Sequence, residues 1–309
     1  MDVLRLTLRQ LQIFVAVARY GSTTAASAEL ALSQSATSAA VNELERLLSL
    51  RLFDRAGKRL LLNDNGRTML PRALDLLDGA AEIETLTRSG SAQMQALRVG
   101  ASTTIGNYVL PDMLARLFAT ADIARTDTWH SSVTIANTAA IGRSVANFDL
   151  DLGFVEGPVR EPEVASISWL RDEMVIVAST DQRSASESMP VRALRDAVWL
   201  LREAGSGTRE AADQALLPHL RTYRRSVELG SSEAIKHAAV LGLGLACLSR
   251  WVVDDMVQAG RLRILKTAMP KVFRPCYVLA HRAKRPTAAM HSLLQLVGVD
   301  SEAWFSRLI

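Results

Sequence analysis

The stretch "TTAASAELALSQSATSAAVNELERLLSLRLFDRAGKRLLLN", residues 23–63, restricts the fold more than any other. Ahead of it, Leu8, Leu11, Phe14, Val15 and Ala18 recur at helical spacing until "YGS" at 20–22 stops the run. Ser22 can cap a short second helix whose Ala26 and Leu30 share a face, and Ser33 can cap a third. In that third helix Ala36, Val41, Leu44 and Leu48 are expected to point inward. Gln34, Ser35, Thr37, Ser38 and Asn42 are expected to point largely outward. Two apolar stretches around "AGK" then read as a small hairpin with a basic tip. Three short helices and a basic hairpin make a winged helix-turn-helix, expected over residues 1–63.

In such a pair the first helix braces the second, whose N-terminal residues meet base edges in the major groove. Ser33, Gln34, Ser35, Thr37, Ser38 and Asn42 offer hydroxyls and amides, and Gln34 or Asn42 can pair with adenine N6 and N7. On the helices alone, a polar solvent face explains these residues equally well. The hairpin shifts the balance, because Arg51, Arg55, Lys58 and Arg59 place positive charge where backbone phosphates would lie. Over residues 1–63 there are eight Arg or Lys against five Asp or Glu, so most of the chain's net charge of +4 sits there.

A long helix follows from Asp64 to about Ser89, with Leu70, Leu74, Leu77 and Ala81 as one stripe and Pro71 in its early turns. A stripe without a partner nearby in sequence suggests a second copy of the same helix, so residues 64–93 read as a dimerising linker ending in the hinge "TRSGSAQMQ" at 87–95. Beyond it, strand-like segments alternate with helical ones, which implies parallel sheets with covering helices over residues 94–309.

Within that α/β region "REAGSGTREAADQAL" runs a Gly-rich loop into a helix, a suitable place for an anion, with Arg202, Ser206 and Thr208 as further donors. It lacks the Lys-Ser/Thr pair of a nucleotide-hydrolase loop, and a plain capped turn is the competing reading. "GASTTIGN" supplies Ser102, Thr103 and Thr104; Asn137, Thr138 and Glu156 also end strands. Ligands collect at the carboxyl ends of strands in open α/β sheets. Hydroxyls plus Arg202 suggest a small anion such as a carboxylate, sulfite or phosphate ester, while Glu156 requires that the ligand also donate a hydrogen bond or that its carboxyl turn away.

Two features carry no chemistry. Cys247 and Cys276 lie far apart and fit a reducing cytoplasm, with Cys247 expected as a buried small hydrophobe. His130, His219, His237, His281 and His291 sit singly, without metal-ligand spacing. No export signal or membrane span is visible, so a cytoplasmic location is expected.

Residues 8–77, "LRQLQIFVAVARYGSTTAASAELALSQSATSAAVNELERLLSLRLFDRAGKRLLLNDNGRTMLPRA" and its continuation, resemble the DNA-binding half of LysR-type transcriptional regulators. "LDLGFVEG", "LLREAGSGTRE", "ELGSSEAIKHAAVLGLGLACLS" and "AGRLRIL" extend the resemblance over nearly the whole chain. "GASTTIGNYVLP" is similar to the branch that includes regulators of carbon-fixation operons and of sulfite and cysteine metabolism.

The resemblance implies a C-terminal two-lobed α/β sensor of the periplasmic-binding-protein kind. Lobe 1 would span about 94–168 and 271–309, lobe 2 about 169–270, with a small-molecule effector in the cleft between them. It further implies a double-stranded DNA operator, a homodimer or homotetramer, RNA polymerase as a further candidate partner, no cofactor and no enzymatic activity. The chain departs from the family where members usually read "SQPAVSRQIRRLE": Ser35 replaces Pro, and Ala39, Ala40, Asn42 and Glu43 stand where polar and basic residues are usual. Thr23 replaces a usual Phe. Phosphate contact is therefore expected to shift toward the wing.

A solute-binding protein would leave residues 1–90 without a purpose. An enzyme holding a phosphate on the "GSGT" loop would lack an acid–base pair, a nucleophile arrangement or a metal set.

Overall fold

A computed structural model describes residues 5–57, 59–86, 97–120, 132–181 and 188–307. Lys58, His130 and the expected hinge at 87–95 lie outside the described residues. Packing divides the chain into units at residues 1–93 and 94–309.

The first unit contains α1 (Leu8–Tyr20), α2 (Thr23–Glu29), α3 (Gln34–Leu48), a hairpin of β1 (Phe53–Ala56) and β2 (Arg59–Leu62), and α4 (Asp64–Leu86). Each of the first three helices has a hydroxyl cap: Thr7, Ser22 and Ser33 accept from the backbone N–H of Gln10, Ala25 and Ala36. Gly21 ends α1 in the left-handed conformation (φ 61°), and its carbonyl accepts the N–H of Leu60 at 2.9 Å, which docks the hairpin onto the turn. The core gathers Leu11, Phe14, Val17, Ala26, Val41, Leu44, Leu52 and Phe53 from the elements before α4, and Ala73 from α4 itself.

Two expectations change here. Thr37 is fully buried and Ala36 is exposed, the reverse of the expected facing. Residues 37, 41, 44 and 48 follow one helical stripe, and the Thr37 hydroxyl satisfies its own polarity by donating to the Ser33 carbonyl at 3.1 Å. On α4 the stripe of Leu70, Leu74 and Leu77 is half-buried or buried within its own unit. Leu70 and Leu77 pack on the first unit's core, so these leucines do not wait for a second chain. Among the residues of α4 whose burial is described, Leu76 (55%) and Ile83 (65%) are exposed large apolar side chains, and Ala81 is also exposed.

The second unit runs β3 (Arg98–Ser102), α5 (Thr103–Tyr108), α6 (Leu110–Thr120), β4 (Ser132–Ala136), α7 (Thr138–Ala146), β5 (Leu152–Glu156) and β6 (Val164–Ser179). It continues with β7 (Ser188–Met189), α8 (Val191–Asp196), β8 (Val198–Leu201), α9 (Gly207–Leu220), β9 (Arg225–Glu228), α10 (Ser232–Val240) and β10 (Leu245–Ser249). The last elements are α11 (Arg250–Gln258), β11 (Leu262–Ile264), β12 (Lys266–Thr267), β13 (Val272–His281), α12 (Ala288–Leu296) and α13 (Ser301–Phe305).

Among the described residues one nine-stranded sheet has the order β4-β3-β5-β13-β6-β10-β8-β9, with β11 also on β6. The expected parallel pairing holds at both ends, β4-β3-β5 and β10-β8-β9. The middle is antiparallel, so the sheet is mixed. The long strand β6 pairs with β13 over its first part and with β10 and β11 over its last, and so belongs to both halves.

Each half has apolar layers on both faces. Val99, Ala101, Phe154 and Val278 face one way in the first half, and Ile141, Val155 and Leu279 lie on the other face. In the second half Leu245 and Cys247 lie in one cluster and Ala246 and Leu248 in another, the two-residue period of a strand covered on both faces. Cys247 and Cys276 are both buried as free thiols. Burial raises each thiol to about 12, which keeps both protonated and unreactive.

Candidate functional site

In the first unit a groove of about 1020 Å³ opens between α2, α3 and the hairpin. Gln34, Ser38 and Asn42, spaced four apart on one face of α3, line it together with Arg46, Arg51, Arg55 and Arg59. Gln34 Nε2 donates to Thr23 Oγ1 at 3.1 Å, so the Thr in place of a family Phe helps aim a side chain of the recognition helix. Glu45 Oε1 accepts the N–H groups of Leu52 (2.7 Å) and Phe53 (3.3 Å) and fixes the start of the wing relative to the helix. Arg46 is held by Glu43 at 2.7 Å, leaving exposed Arg51, Arg55 and Arg59 as the cations nearer the wing.

Of the other expected residues that are described, Ser33, Ser35 and Thr37 do not join this groove. Ser33 and Ser35 are exposed but lie outside it, and the Ser33 oxygen is occupied by the Ala36 N–H and by Ser35 Oγ at 3.0 Å. Thr37 is corrected: a buried side chain bonded within its own helix offers nothing to a base.

In the second unit Ser102, Thr103, Thr104, Asn137, Thr138, Glu156, Arg202, Ser206 and Thr208 converge, with Gly207, on one place. They close tightly, leaving essentially no space for a water-sized sphere. Gly207 permits this closeness, because a Cβ there would strike the Glu156 carbonyl. Thr138 Oγ1 donates to that carbonyl at 3.0 Å and accepts the Gly207 N–H at 3.2 Å. Asn137 caps α7 through Oδ1 and donates from Nδ2 to Glu203 Oε1 at 3.2 Å.

Arg202 is more committed than its sequence position suggests. Its Nε and Nη2 both reach Glu203 at 2.8 Å, Nη1 donates to Ser232 Oγ at 2.9 Å, and Nη2 reaches Thr103 Oγ1 at 3.4 Å. Burial works to raise the Glu203 carboxyl, but hydrogen bonds from Arg202, its own backbone and Asn137, with the Arg202 charge, together outweigh it and hold that carboxyl below its usual range. Arg202, read from the sequence as adding charge to an anion site, is paired here with the carboxylate of its neighbour Glu203.

Sequence reasoning missed the second guanidinium. Arg274 on β13 is 3% exposed; its Nη1 donates to Thr208 Oγ1 at 2.9 Å, its Nη2 to Thr104 Oγ1 at 3.4 Å, and its Nε to Asp172 Oδ2 at 2.7 Å. Glu156 Oε1 stands 3.7 Å from the same guanidinium without a hydrogen bond. Burial pushes the Asp172 carboxyl up against the opposing pull of Arg274 and of Ser249, whose hydroxyl donates to Oδ1 at 2.8 Å. A lone Arg within an apolar strand was the available signal.

Among the described residues no group of three or more His, Cys, Asp or Glu could hold a metal ion. None of the described helices is long and apolar enough to cross a membrane.

Residues 8–67 match the family described as bacterial regulatory helix-turn-helix protein, lysR family, and residues 91–299 match the LysR substrate binding domain. The chain is 44% identical over 293 residues to the uncharacterized HTH-type transcriptional regulator YeiE of Escherichia coli (strain K12), covering 94% of this chain and 97% of that one. It is 31% identical to the HTH-type transcriptional regulator CfxR of Cupriavidus necator over 93% and 89% of the two chains. A full-length OxyR variant from Pseudomonas aeruginosa shares the fold, with a TM-score of 0.71, 24% identity and 97% of both chains covered. The Synechocystis PCC6803 CcmR regulatory domain in complex with 2-PG matches 65% of this chain and 95% of that one, at 29% identity and a TM-score of 0.57.

The family and these relatives are transcriptional regulators rather than enzymes. DNA operators and small-molecule effectors are the ligands such regulators take. A helix-turn-helix unit followed by a substrate-binding unit, matched along almost the whole chain, makes this protein a member of the LysR family of transcriptional regulators.

Proposed function

We propose that Gln34, Ser38 and Asn42 read base edges from α3 while Arg51, Arg55 and Arg59 grip the phosphates on either side. The observation that carries this reading is the groove in which three uncharged side chains at helical spacing face three exposed arginines of the wing region. Lys58 adds to the wing's charge by sequence. Phosphate contacts give affinity and register, and base contacts give discrimination, so the two sets divide the work.

Two copies pair through the face of α4 that carries Leu76 and Ile83, which leaves a dimer, or a tetramer of two dimers, to span a dyad-related operator. The protein works in the cytoplasm, where RNA polymerase is its further partner.

The cluster around Arg202, Arg274 and Glu156 is the effector site, and the effector is a small acid. The 2-PG complex of the CcmR regulatory domain is a precedent for a small molecule held by a domain of this kind. Residues 94–168 and 271–309 form one lobe and 169–270 the other, with β6 and β13 as the crossing. Effector binding shifts the protein between arrangements by as much as it prefers one of them.

Genome-wide mapping of bound DNA tests this reading. It predicts discrete sites with inverted-repeat half-sites about one helical turn apart, lost in the Asn42→Ala, Arg55→Ala double variant. Uniform, sequence-independent coverage would overturn it.

A further inference from the structure

Two buried polar atoms at the candidate effector site have no hydrogen-bond partner: Ser102 Oγ and Glu156 Oε1, on side chains each 2% exposed. Both line the same space, which is closed to a water-sized sphere in this structure, so a ligand enters it only as the surrounding segments part. An unmet buried acceptor or donor is costly, so it marks a place built for something else to complete.

The charge around them decides what that something is. Arg202 is neutralised by Glu203 through two hydrogen bonds at 2.8 Å, and Arg274 by Asp172 at 2.7 Å. Glu156 is a third carboxylate facing these two paired guanidinium groups, with only the 3.7 Å approach to Arg274. A fully deprotonated oxyanion placed here meets an excess of carboxylate in a region of low dielectric, where like charges repel strongly. A molecule that brings its own N–H or O–H to Glu156 removes that repulsion. Its acidic group can then accept from Ser102, Thr103 and Arg202.

Resting on the reading of this cluster as the effector site, we infer that the effector is a small organic acid that also carries a hydrogen-bond donor, an amino or hydroxy acid, and that Glu156 selects for the donor.

Calorimetric titration of the full chain with matched acids tests this. The probes are propionate, lactate and alanine; succinate, malate and aspartate; and sulfate. The expected result is binding confined to donor-bearing members, at least tenfold tighter than their donor-free counterparts. In Glu156→Gln that preference falls below threefold, because the amide removes the charge and turns a donor toward the ligand. Ser102→Ala, a smaller change that keeps Glu156 in place, weakens binding while preserving the preference.

Equal affinity for donor-free and donor-bearing acids, or an unchanged preference in Glu156→Gln, overturns the selectivity while leaving the effector site standing. Failure of every probe to bind either the natural chain or Glu156→Gln overturns the effector-site reading itself, and the selectivity with it.

Discussion

Arg274 and Asp172 face each other directly across β13 and β6, with Nε donating to Oδ2 at 2.7 Å and both side chains buried. The pair sits where the antiparallel middle of the sheet joins its two parallel ends. Its guanidinium reaches Thr104 and Glu156 from one half and Thr208 from the other. A shift of either half changes what this one side chain touches.

Replacing Arg274 by Met leaves the Asp172 and Glu156 carboxylates buried without a cation. Such a loss typically costs about 3–5 kcal/mol. Urea unfolding of Arg274→Met is expected to show a loss of that order, and Asp172→Asn added to it should recover part. An unchanged midpoint would contradict the placement of Arg274 as the shared counterion.

Thr37 and Asn42 lie five residues apart on one helix and have opposite surroundings. Thr37→Val keeps the buried shape and gives up one bond to the Ser33 carbonyl, so operator affinity measured by gel shift should stay within about twofold. Asn42→Ala removes an amide from the groove and should cost about 1–3 kcal/mol of base discrimination. The reverse ranking would show that the facing of α3 is wrong.

Leu76 and Ile83 lie seven residues apart on one face of α4, exposed within their own unit. The Leu76→Glu, Ile83→Glu double variant should lower the mass measured by light scattering to that of one chain and weaken operator binding with it. A mass equal to that of the natural chain would move the pairing surface elsewhere.

His281 stacks on Phe148 with ring centroids 3.8 Å apart, and its Nδ1 accepts the Ala283 N–H at 3.0 Å. Burial lowers its pKa from 6.5 to about 4. The unfolded chain therefore takes up this proton first as pH falls, and the stability present above about 6.5 is lost progressively down to about 4. Unfolding at pH 7 and pH 5 should show a decline that His281→Phe reduces, by up to roughly 2 kcal/mol at about 1.36 kcal/mol per pH unit. Identical pH slopes in the two proteins would contradict the assignment.

Most of the helix order and most of the strands were legible in the sequence, because caps, periodicity and turn residues are local signals. Ser22 and Ser33 cap α2 and α3, as their positions before apolar runs indicate. The parallel pairing was legible, whereas the antiparallel middle was not, because β6 and β13 pair over a long sequence separation that strand-by-strand reading does not register. Thr37 differs for another reason: its hydroxyl suggests an outward position, whereas the spacing of 37, 41, 44 and 48 marks the buried stripe. The nine residues that converge with Gly207 end strands or begin helices and so stand out in the sequence, whereas Arg274 and Asp172 lie inside strands and acquire meaning only from each other. The neutralisation of Arg202 by its own neighbour Glu203 was present in the sequence, but side-chain direction decides it.

The most direct test is fluorescence anisotropy of the purified chain with its own upstream DNA and with a scrambled duplex, across a series of salt concentrations. The expected result is at least about 10³-fold tighter binding to the natural sequence. Arg55→Ala with Arg59→Ala should make the salt slope shallower by roughly 0.9 for each phosphate no longer neutralised. Equal affinity for the two duplexes, with a slope unaltered by the wing substitutions, would contradict the proposed division between base-reading α3 and phosphate-gripping wing.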